Sequence, residues 1–273
     1  MNDPKITIVT PSFNQGQYIE ETILSVISQG YGNFEYIIID GGSTDNTVDI
    51  LKKYDSSIDY RHSKKDSGQS NAINTGLSMA QGDILCWLNS DDKLTEGALS
   101  RVRKNIDHTK DSWLVGSAYS INSKGKRIKQ RLVKQLTPFS FFRYKQNWIA
   151  QPSVFWSRSL WEQLGGLDES LNYIMDLDLF YRMFRIVEPI QIPDVLSEYC
   201  VHSGAKTSQF PHQVDAEYRD WIFSKIKDDD NLARPIIDHY IQLQRCKRTI
   251  DEHIVISKIA RFWKKFVNPD MYI

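Results

Sequence analysis

Apolar residues follow two rhythms along the first hundred positions of this chain. Ile6 to Thr10, Phe34 to Ile39 and Ile84 to Leu88 are short, nearly continuous apolar runs. Such runs mark strands covered on both faces in a mostly parallel sheet. Ile58 to His62 is a further extended piece. Between these runs, Tyr18, Thr22, Ile23, Val26 and Ile27 recur at helical spacing, as do Val48, Leu51 and Tyr54, and then Ala72, Ile73, Gly76, Leu77 and Ala80. The order is βαβαβαβ, which calls for an α/β fold with a parallel sheet, right-handed crossovers and ligand-binding loops along one edge.

The runs close on polar, turn-forming residues: Pro11-Ser12-Phe13-Asn14, Asp40-Gly41-Gly42-Ser43-Thr44-Asp45, and Asn89-Ser90-Asp91-Asp92. Ligands gather where parallel strands end, so Asp40, Asp66 and the Asp91/Asp92 pair are expected around one crevice. Adjacent carboxylates beside an Asn and a Ser offer hard oxygen donors suited to Mg²⁺ or Mn²⁺. Taken alone, the same two acids read equally well as the opening of a helix beginning near Leu94.

Beyond this region the pattern is sparser. Gln151 to Trp156 reads as an extended piece, followed by a short helix at Arg158 to Leu164, and a strand-like run from Ile190 leads to His202. After about residue 210 long polar-periodic segments follow, Val214 to Ile226, Ala233 to Thr249 and Asp251 to Val267, which read as helices. The last sets Val255, Ile259, Phe262 and Phe266 on one face and Lys258, Arg261, Lys264 and Lys265 on another. Such a stripe packs on its own domain or on a twin subunit in a homodimer; its other use is peripheral contact with an anionic membrane.

Composition narrows the classes. With 273 residues, 41% hydrophobic and 25% charged, the chain has enough apolar content for one substantial core and a helical appendage. A net charge of +0, and no basic stripe with aromatic interleaving in the first two hundred residues, argue against a nucleic-acid partner. Cys86, Cys200 and Cys246 show no C-x-x-C spacing, so neither a disulfide framework nor a zinc site is indicated. No secretory pattern precedes Lys5, and no apolar run approaches the ~18 residues that span a bilayer. The expected setting is cytoplasmic, with at most a peripheral position at the inner face of a membrane.

Four segments, 8 to 14 (Ile-Val-Thr-Pro-Ser-Phe-Asn), 38 to 47 (Ile-Ile-Asp-Gly-Gly-Ser-Thr-Asp-Asn-Thr), 66 to 76 (Asp-Ser-Gly-Gln-Ser-Asn-Ala-Ile-Asn-Thr-Gly) and 88 to 92 (Leu-Asn-Ser-Asp-Asp), together resemble family 2 glycosyltransferases of the GT-A fold. The likeness is close over the first hundred residues and looser to about residue 208. It implies a GT-A domain over 1–208, with a nucleotide-binding half at 1–95 and an acceptor-binding half at 96–208, and a helical region at 209–273.

The resemblance also implies roles. Thr10, Pro11 and Phe13 would embrace a nucleotide base, Asp40 would accept from a uracil imide, and Asp66 and Asp91 would contact the nucleotide. Asp91 and Asp92 resemble the family's metal-binding Asp-x-Asp element, although Asn89 takes the place of its first Asp. His202 resembles a position where a further metal ligand is found. Met175-Asp176-Leu177-Asp178 resembles the element whose Asp begins a helix beneath the acceptor, which makes Asp176 the base. Asp178 points elsewhere on that helix; it, Gln151, Trp156 and Lys206 are left as contacts to sugar, acceptor or phosphate.

The implied reaction is inverting transfer of one sugar from a nucleotide-diphosphate sugar, UDP-linked by preference, to a hydroxyl of a glycan or lipid-linked acceptor, in bacterial surface polysaccharide synthesis. A divalent ion has a physical rationale here, because carboxylates alone would repel a diphosphate by several kcal/mol at a few Å. Two other classes compete. A nucleotidyltransferase would need a Gly-rich, basic N-terminal loop, and Thr10 to Gln17 has one Gly and no Lys or Arg. A non-catalytic nucleotide-sugar or glycan binder would tolerate loss of Asp176. The absence of Gln-x-x-Arg-Trp after Asp176 argues against a processive polymerase.

Overall fold

The computed structural model describes residues 3–142 and 149–227. Within them, residues 3–135 and 149–209 form one compact unit, and residues 136–142 with 210–227 belong to a second.

The first unit opens as its apolar rhythm predicts: β1 (Ile6–Ser12), α1 (Ile19–Ile27), β2 (Phe34–Asp40), α2 (Thr47–Lys53), β3 (Tyr60–Ser63), α3 (Gln69–Met79) and β4 (Ile84–Trp87). There follow β5 (Lys93–Leu94), α4 (Ala98–Asn105), β6 (Trp113–Asn122), β7 (Arg127–Arg131), β8 (Val154–Ser157), α5 (Arg158–Leu164), α6 (Met175–Ile186), β9 (Ile190–Val201) and α7 (Lys206–Gln209). The strands form one sheet in the order β3-β2-β1-β4-β8-β6-β9-β5, with β7 added to β6.

The mostly parallel expectation holds for β3-β2-β1-β4, whose pairings are all parallel. The rest is mixed. β8 runs antiparallel to both β4 and β6, β7 antiparallel to β6 and β5 antiparallel to β9, while β6 and β9 pair in parallel. The sheet is thus built from a parallel half and a mixed half.

Pro11 inside β1 has a geometric reason. Val9 O accepts from Leu88 N and Ser12 O from Gly41 N, so residues in phase with Val9 face β4 and those in phase with Ser12 face β2. Pro11 is in phase with Val9, and β4 pairing stops at Val9 and Trp87. Its missing N–H therefore falls where the ladder has already ended. β1 runs two residues past Thr10 because its pairing with β2 continues to Ser12 and Asp40.

Helix–sheet contact is closest at Gly76. A Cβ there would meet Val9 Cγ1 at 2.4 Å, so the missing side chain lets α3 lie directly on β1. At the centre of the sheet Trp87, Trp113, Trp156 and Phe180 are all buried. Trp87 meets Trp156 edge-on at 5.5 Å between ring centres, and Phe180 stacks between Trp87 and Trp113 at 6.2 and 6.1 Å.

In the second unit α8 (Pro211–Lys227) packs Trp221 on Phe142, 5.6 Å between ring centres, and Tyr218 Oη donates to Phe141 O at 3.1 Å. The segments expected to be helical at 233–249 and 251–267, with the basic amphipathic stripe, lie outside the described residues. Among the described residues no helix is long and apolar enough to cross a membrane.

Gly76→Ala should destabilise the protein by ~1–3 kcal/mol by overpacking, although alanine is the better helix former by about 1 kcal/mol. Adding Val9→Ala should recover part of that loss, so the two substitutions combine to less than their sum in urea denaturation.

Candidate active site

Asp91 and Asp92 do not open a helix. They sit in a turn between β4 and β5, and α4 begins only at Ala98, after Gly97 in the left-handed region. Neighbouring α1 holds this turn. Thr22 Oγ1 donates to Ser90 O at 2.9 Å and to Asp92 O at 2.8 Å, Ser25 Oγ accepts from Leu94 N, and Lys93 pairs with Glu21 at 2.9 Å. Thr22 read only as an apolar-face residue in the sequence; its hydroxyl is what fixes the acids.

The two acids have opposite environments. Asp91 Oδ2 lies 3.0 Å from His202 Nε2, a contact across 111 residues that joins the end of β4 to the segment following β9. The ring of Tyr18 stands 4.8 Å from the His202 ring and walls this pair. Asp92 turns inward instead: Oδ1 accepts from Cys200 N at 2.9 Å and Oδ2 from Asn89 Nδ2 at 3.2 Å. Burial, and then the Asp91 charge, push Asp92 well above the ordinary carboxylate value, against the pull of these two donors. The same burial and the two acids push the Cys200 thiol up to about 11.

Of the trio Asp91, Asp92 and His202 expected to share an ion, Asp91 and His202 stand together and Asp92 turns to the Cys200 N–H. Among the described residues no group of three or more His, Cys, Asp and Glu side chains converges on one point. Buried Asp92 links the turn after β4 to β9. Behind it lies an amide chain in which Gln69 Nε2 donates to Asn89 Oδ1, Asn89 Nδ2 to Gln151 Oε1, and Gln151 Nε2 to Trp87 O. Gln151 is buried in this chain rather than turned toward a ligand.

Along the parallel strand ends, Phe13 is 59% exposed, the only one of its three expected partners at the surface. Thr10 and Pro11 are buried in β1, and Thr10 Oγ1 shares a 3.2 Å hydrogen bond with Tyr36 Oη. Asp40 is fully buried and accepts from Gly42 N, Ser43 N, Ser43 Oγ and Ser63 Oγ. It fastens its own turn to the end of β3. Asp66 is partly exposed beside it, near enough to Gly41 that a Cβ there would stand 2.9 Å from its carboxylate.

The Gly-Gly-Ser-Thr-Asp-Asn-Thr segment, 41–47, grips the loop after β1. Asn14, at φ 52°, donates its N–H to Ser43 Oγ and accepts from Thr44 N; Gln15 N donates to Thr47 Oγ1 and Gly16 N to Asp45 Oδ2. Burial works to raise the Asp45 carboxyl, but hydrogen bonds from Thr47 and Gly16 outweigh it and hold the group low. The polar motif residues thus position the backbone around Phe13.

Asp176 stands in the first turn of α6, partly exposed, and accepts from Leu177 N at 2.8 Å. The approach to it is clamped by α3. Asn74 accepts from Leu167 N and donates to Leu167 O, Ser70 Oγ donates to Leu171 O, and Asn71 and Asn74 both donate to Glu169. Sequence reading missed this clamp. The trace was available, since polar residues at 70, 71 and 74 recur on one helical side of an otherwise apolar pattern.

Two residues expected to contact ligand lie inside the scaffold. Trp156 is fully buried among aromatic rings and presents no face to a sugar. Asp178 is buried and pairs with Arg182 at 2.7 Å, while the same guanidinium donates to Leu164 O and Gly166 O. That network ties α6 to the end of α5. Lys206 opens α7, exposed, with its ammonium 5.4 Å from the centre of the Tyr173 ring.

A sheet of this architecture is shared with solved glycosyltransferases. TarS of Staphylococcus aureus in complex with UDP-GlcNAc superposes with a TM-score of 0.65 at 17% identity, over 97% of this chain and 74% of that one. Mannosyltransferase PcManGT from Pyrobaculum calidifontis, in complex with GDP-Man and Mn²⁺, gives 0.56 at 18%, over 98% of this chain and 72% of that one. These likenesses establish the GT-A type fold. The profile of the family Glycosyl transferase family 2 matches residues 7–160, and the chain belongs to that family of glycosyltransferases.

Among relatives by sequence, an uncharacterized glycosyltransferase of Rickettsia prowazekii is 28% identical over 80% of this chain and 70% of its own length. TarP of Staphylococcus aureus, a poly(ribitol-phosphate) β-N-acetylglucosaminyltransferase, is 33% identical over 48% of this chain and 41% of TarP. TuaG of Bacillus subtilis, a putative teichuronic acid biosynthesis glycosyltransferase, is 40% identical over 36% of this chain and 40% of TuaG.

Asp178→Ala should cost about 2–3 kcal/mol, because it leaves a half-buried guanidinium without its charge partner. Arg182→Lys should recover little, since an ammonium cannot reach the carboxylate and both carbonyls in one planar fork. Guanidinium denaturation midpoints measure both.

Proposed function

We propose that this protein transfers a single sugar, with inversion, from a UDP-linked donor to a hydroxyl of a surface glycan or its lipid-linked precursor. The observation that carries this reading is the Asp91–His202 pair, 3.0 Å apart at the end of β4 where ligands of parallel sheets gather. TarP and TuaG, whose names place them in poly(ribitol-phosphate) and teichuronic acid chemistry, support the polysaccharide setting. TarS in complex with UDP-GlcNAc supports a UDP-linked donor.

The donor set fits a divalent ion. One carboxylate and one neutral imidazole leave most of the coordination sphere to diphosphate oxygens and water, and the imidazole favours Mn²⁺ over Mg²⁺. When bound, such an ion would offset the diphosphate charge that builds as the sugar departs.

The chain's own residues do the rest. Exposed Phe13 offers a ring for the base, and Asp66, next to Gly41, a carboxylate for the nucleotide. Asp176 takes the acceptor proton, and attack from its side on the anomeric carbon inverts the centre. The Asn74 clamp and the Asp178–Arg182 pair hold the first turn of α6 in register for that transfer. Lys206 supplies a positive charge that can swing from Tyr173 toward phosphate as the segment after His202 closes.

Asp176→Asn should lower kcat by about 10²–10⁴-fold while donor affinity, measured by calorimetry, stays within about threefold. His202→Ala should weaken UDP binding by about 10–100-fold in Mn²⁺ and much less in chelator. An Asp176→Asn enzyme turning over at the wild-type rate would refute the base; equal UDP affinity of His202→Ala and wild type in Mn²⁺ would refute the ligand pair.

A further inference from the structure

Charge is unevenly spread along this chain. The net charge is +0, yet from Ser112 to Trp161 there is no Asp or Glu, and there are nine Lys or Arg. Six of these, Lys124, Lys126, Arg127, Lys129, Arg131 and Lys134, fall in the turn after β6, in β7 and just beyond it. Every residue of β7 is exposed, and among the described residues β6 is its only strand neighbour.

Two of the six are held in place. Arg127 pairs with Glu198 at 2.7 Å and lies over the Tyr119 ring at 4.2 Å, and Arg131 lies over the Tyr199 ring at 5.3 Å. Lys124, Lys126 and Lys129 form no ion pair among the described residues. Lysines on an edge strand ordinarily guard against pairing with another chain. That guard does not account for Ile128 and Leu132, which are 61% and 57% exposed. The ladder skips Ile128, because Ser120 pairs with Lys129 and Ile121 with Arg127, and the bulge turns its side chain outward.

A dissolved polyanion would use the lysines and leave both apolar groups in water. A bilayer with anionic headgroups uses both kinds of residue, the cations at headgroup level and the apolar side chains at the acyl boundary. We propose that the β6–β7 hairpin, continued to Leu132, docks this protein on an anionic membrane surface. Its tip lies at the end of the sheet that carries the site. β6 and β9 are parallel, Asn122 pairs with Val201 next to His202, and a Cβ on Gly125 would stand 3.5 Å from Lys93 Nζ. Docking therefore sets the Asp91–His202 edge close to the surface where a lipid-anchored acceptor is met. In that acceptor the inference rests on the function proposed above; the docking itself needs no donor.

The test is sedimentation of the full chain with phosphatidylcholine vesicles, with and without about 30% phosphatidylglycerol, at low and high salt. Wild type should bind the anionic vesicles at least about tenfold more tightly than the neutral ones, and less tightly as salt rises. The triple variant Lys124→Glu/Lys126→Glu/Lys129→Glu should lose at least about tenfold, and Ile128→Ser/Leu132→Ser about three- to tenfold. All five side chains are exposed, and unchanged thermal melts would show that the variants fold. Wild type that ignores anionic vesicles overturns the proposal, as do hairpin variants that bind like wild type. So does an Ile128→Ser/Leu132→Ser variant at full strength with soluble polyphosphate as an equal competitor, which would make the hairpin a polyanion site. UDP calorimetry on the same preparations separates the two readings, since intact donor binding with no vesicle binding removes the docking alone.

Discussion

Two carboxylates on neighbouring residues cannot both face one cleft without mutual repulsion, and the structure around Asp91 and Asp92 is organised by how that conflict is resolved. One acid goes inward, onto the Cys200 N–H and the Asn89 amide; the other goes outward, onto His202. Each choice draws on the distant strand β9, so the turn that holds the acids also closes the parallel half of the sheet onto the mixed half. Buried Asp92 is tolerable only because both its oxygens are satisfied. Without that strut the Asp91–His202 spacing would have nothing to define it.

The same economy recurs at the other expected sites. Asp40, Asp178 and Gln151 each look like ligand-binding residues in the sequence, and each spends its hydrogen bonds on the scaffold: a turn, a helix junction and an amide chain. Phe13, Asp66, Asp91, His202 and Asp176 are among the expected site residues that are not fully buried. Scaffold side chains fixed in this way favour electrostatic preorganisation around Asp91 and Asp176.

Much of this was legible in the sequence because the parallel half obeys simple periodicities. Continuous apolar runs placed β1, β2 and β4, and helical spacing placed α1, α2 and α3 close to their observed bounds. The mixed half resisted the same reading. β7 is exposed on both faces and has no apolar alternation to detect, and β6 carries Gly116, Ser117 and Ser120 at buried positions that only packing against Leu196 and neighbouring strands explains. Residue type singled out the acids but carried no information on their direction. Whether a carboxylate faces a cleft or a backbone N–H depends on a partner such as Cys200, more than a hundred positions away, and no local pattern carries that information.

The central claim is that Asp91 and His202, without Asp92, supply the protein ligands for an ion on the donor diphosphate. Anomalous diffraction at the manganese edge from crystals grown with UDP and Mn²⁺ examines it directly. The account predicts one strong peak within coordination distance of Asp91 Oδ2 and His202 Nε2, with Asp92 still bonded to Cys200 N. A peak bound by Asp92, or ordered UDP with no manganese beside Asp91, would contradict it.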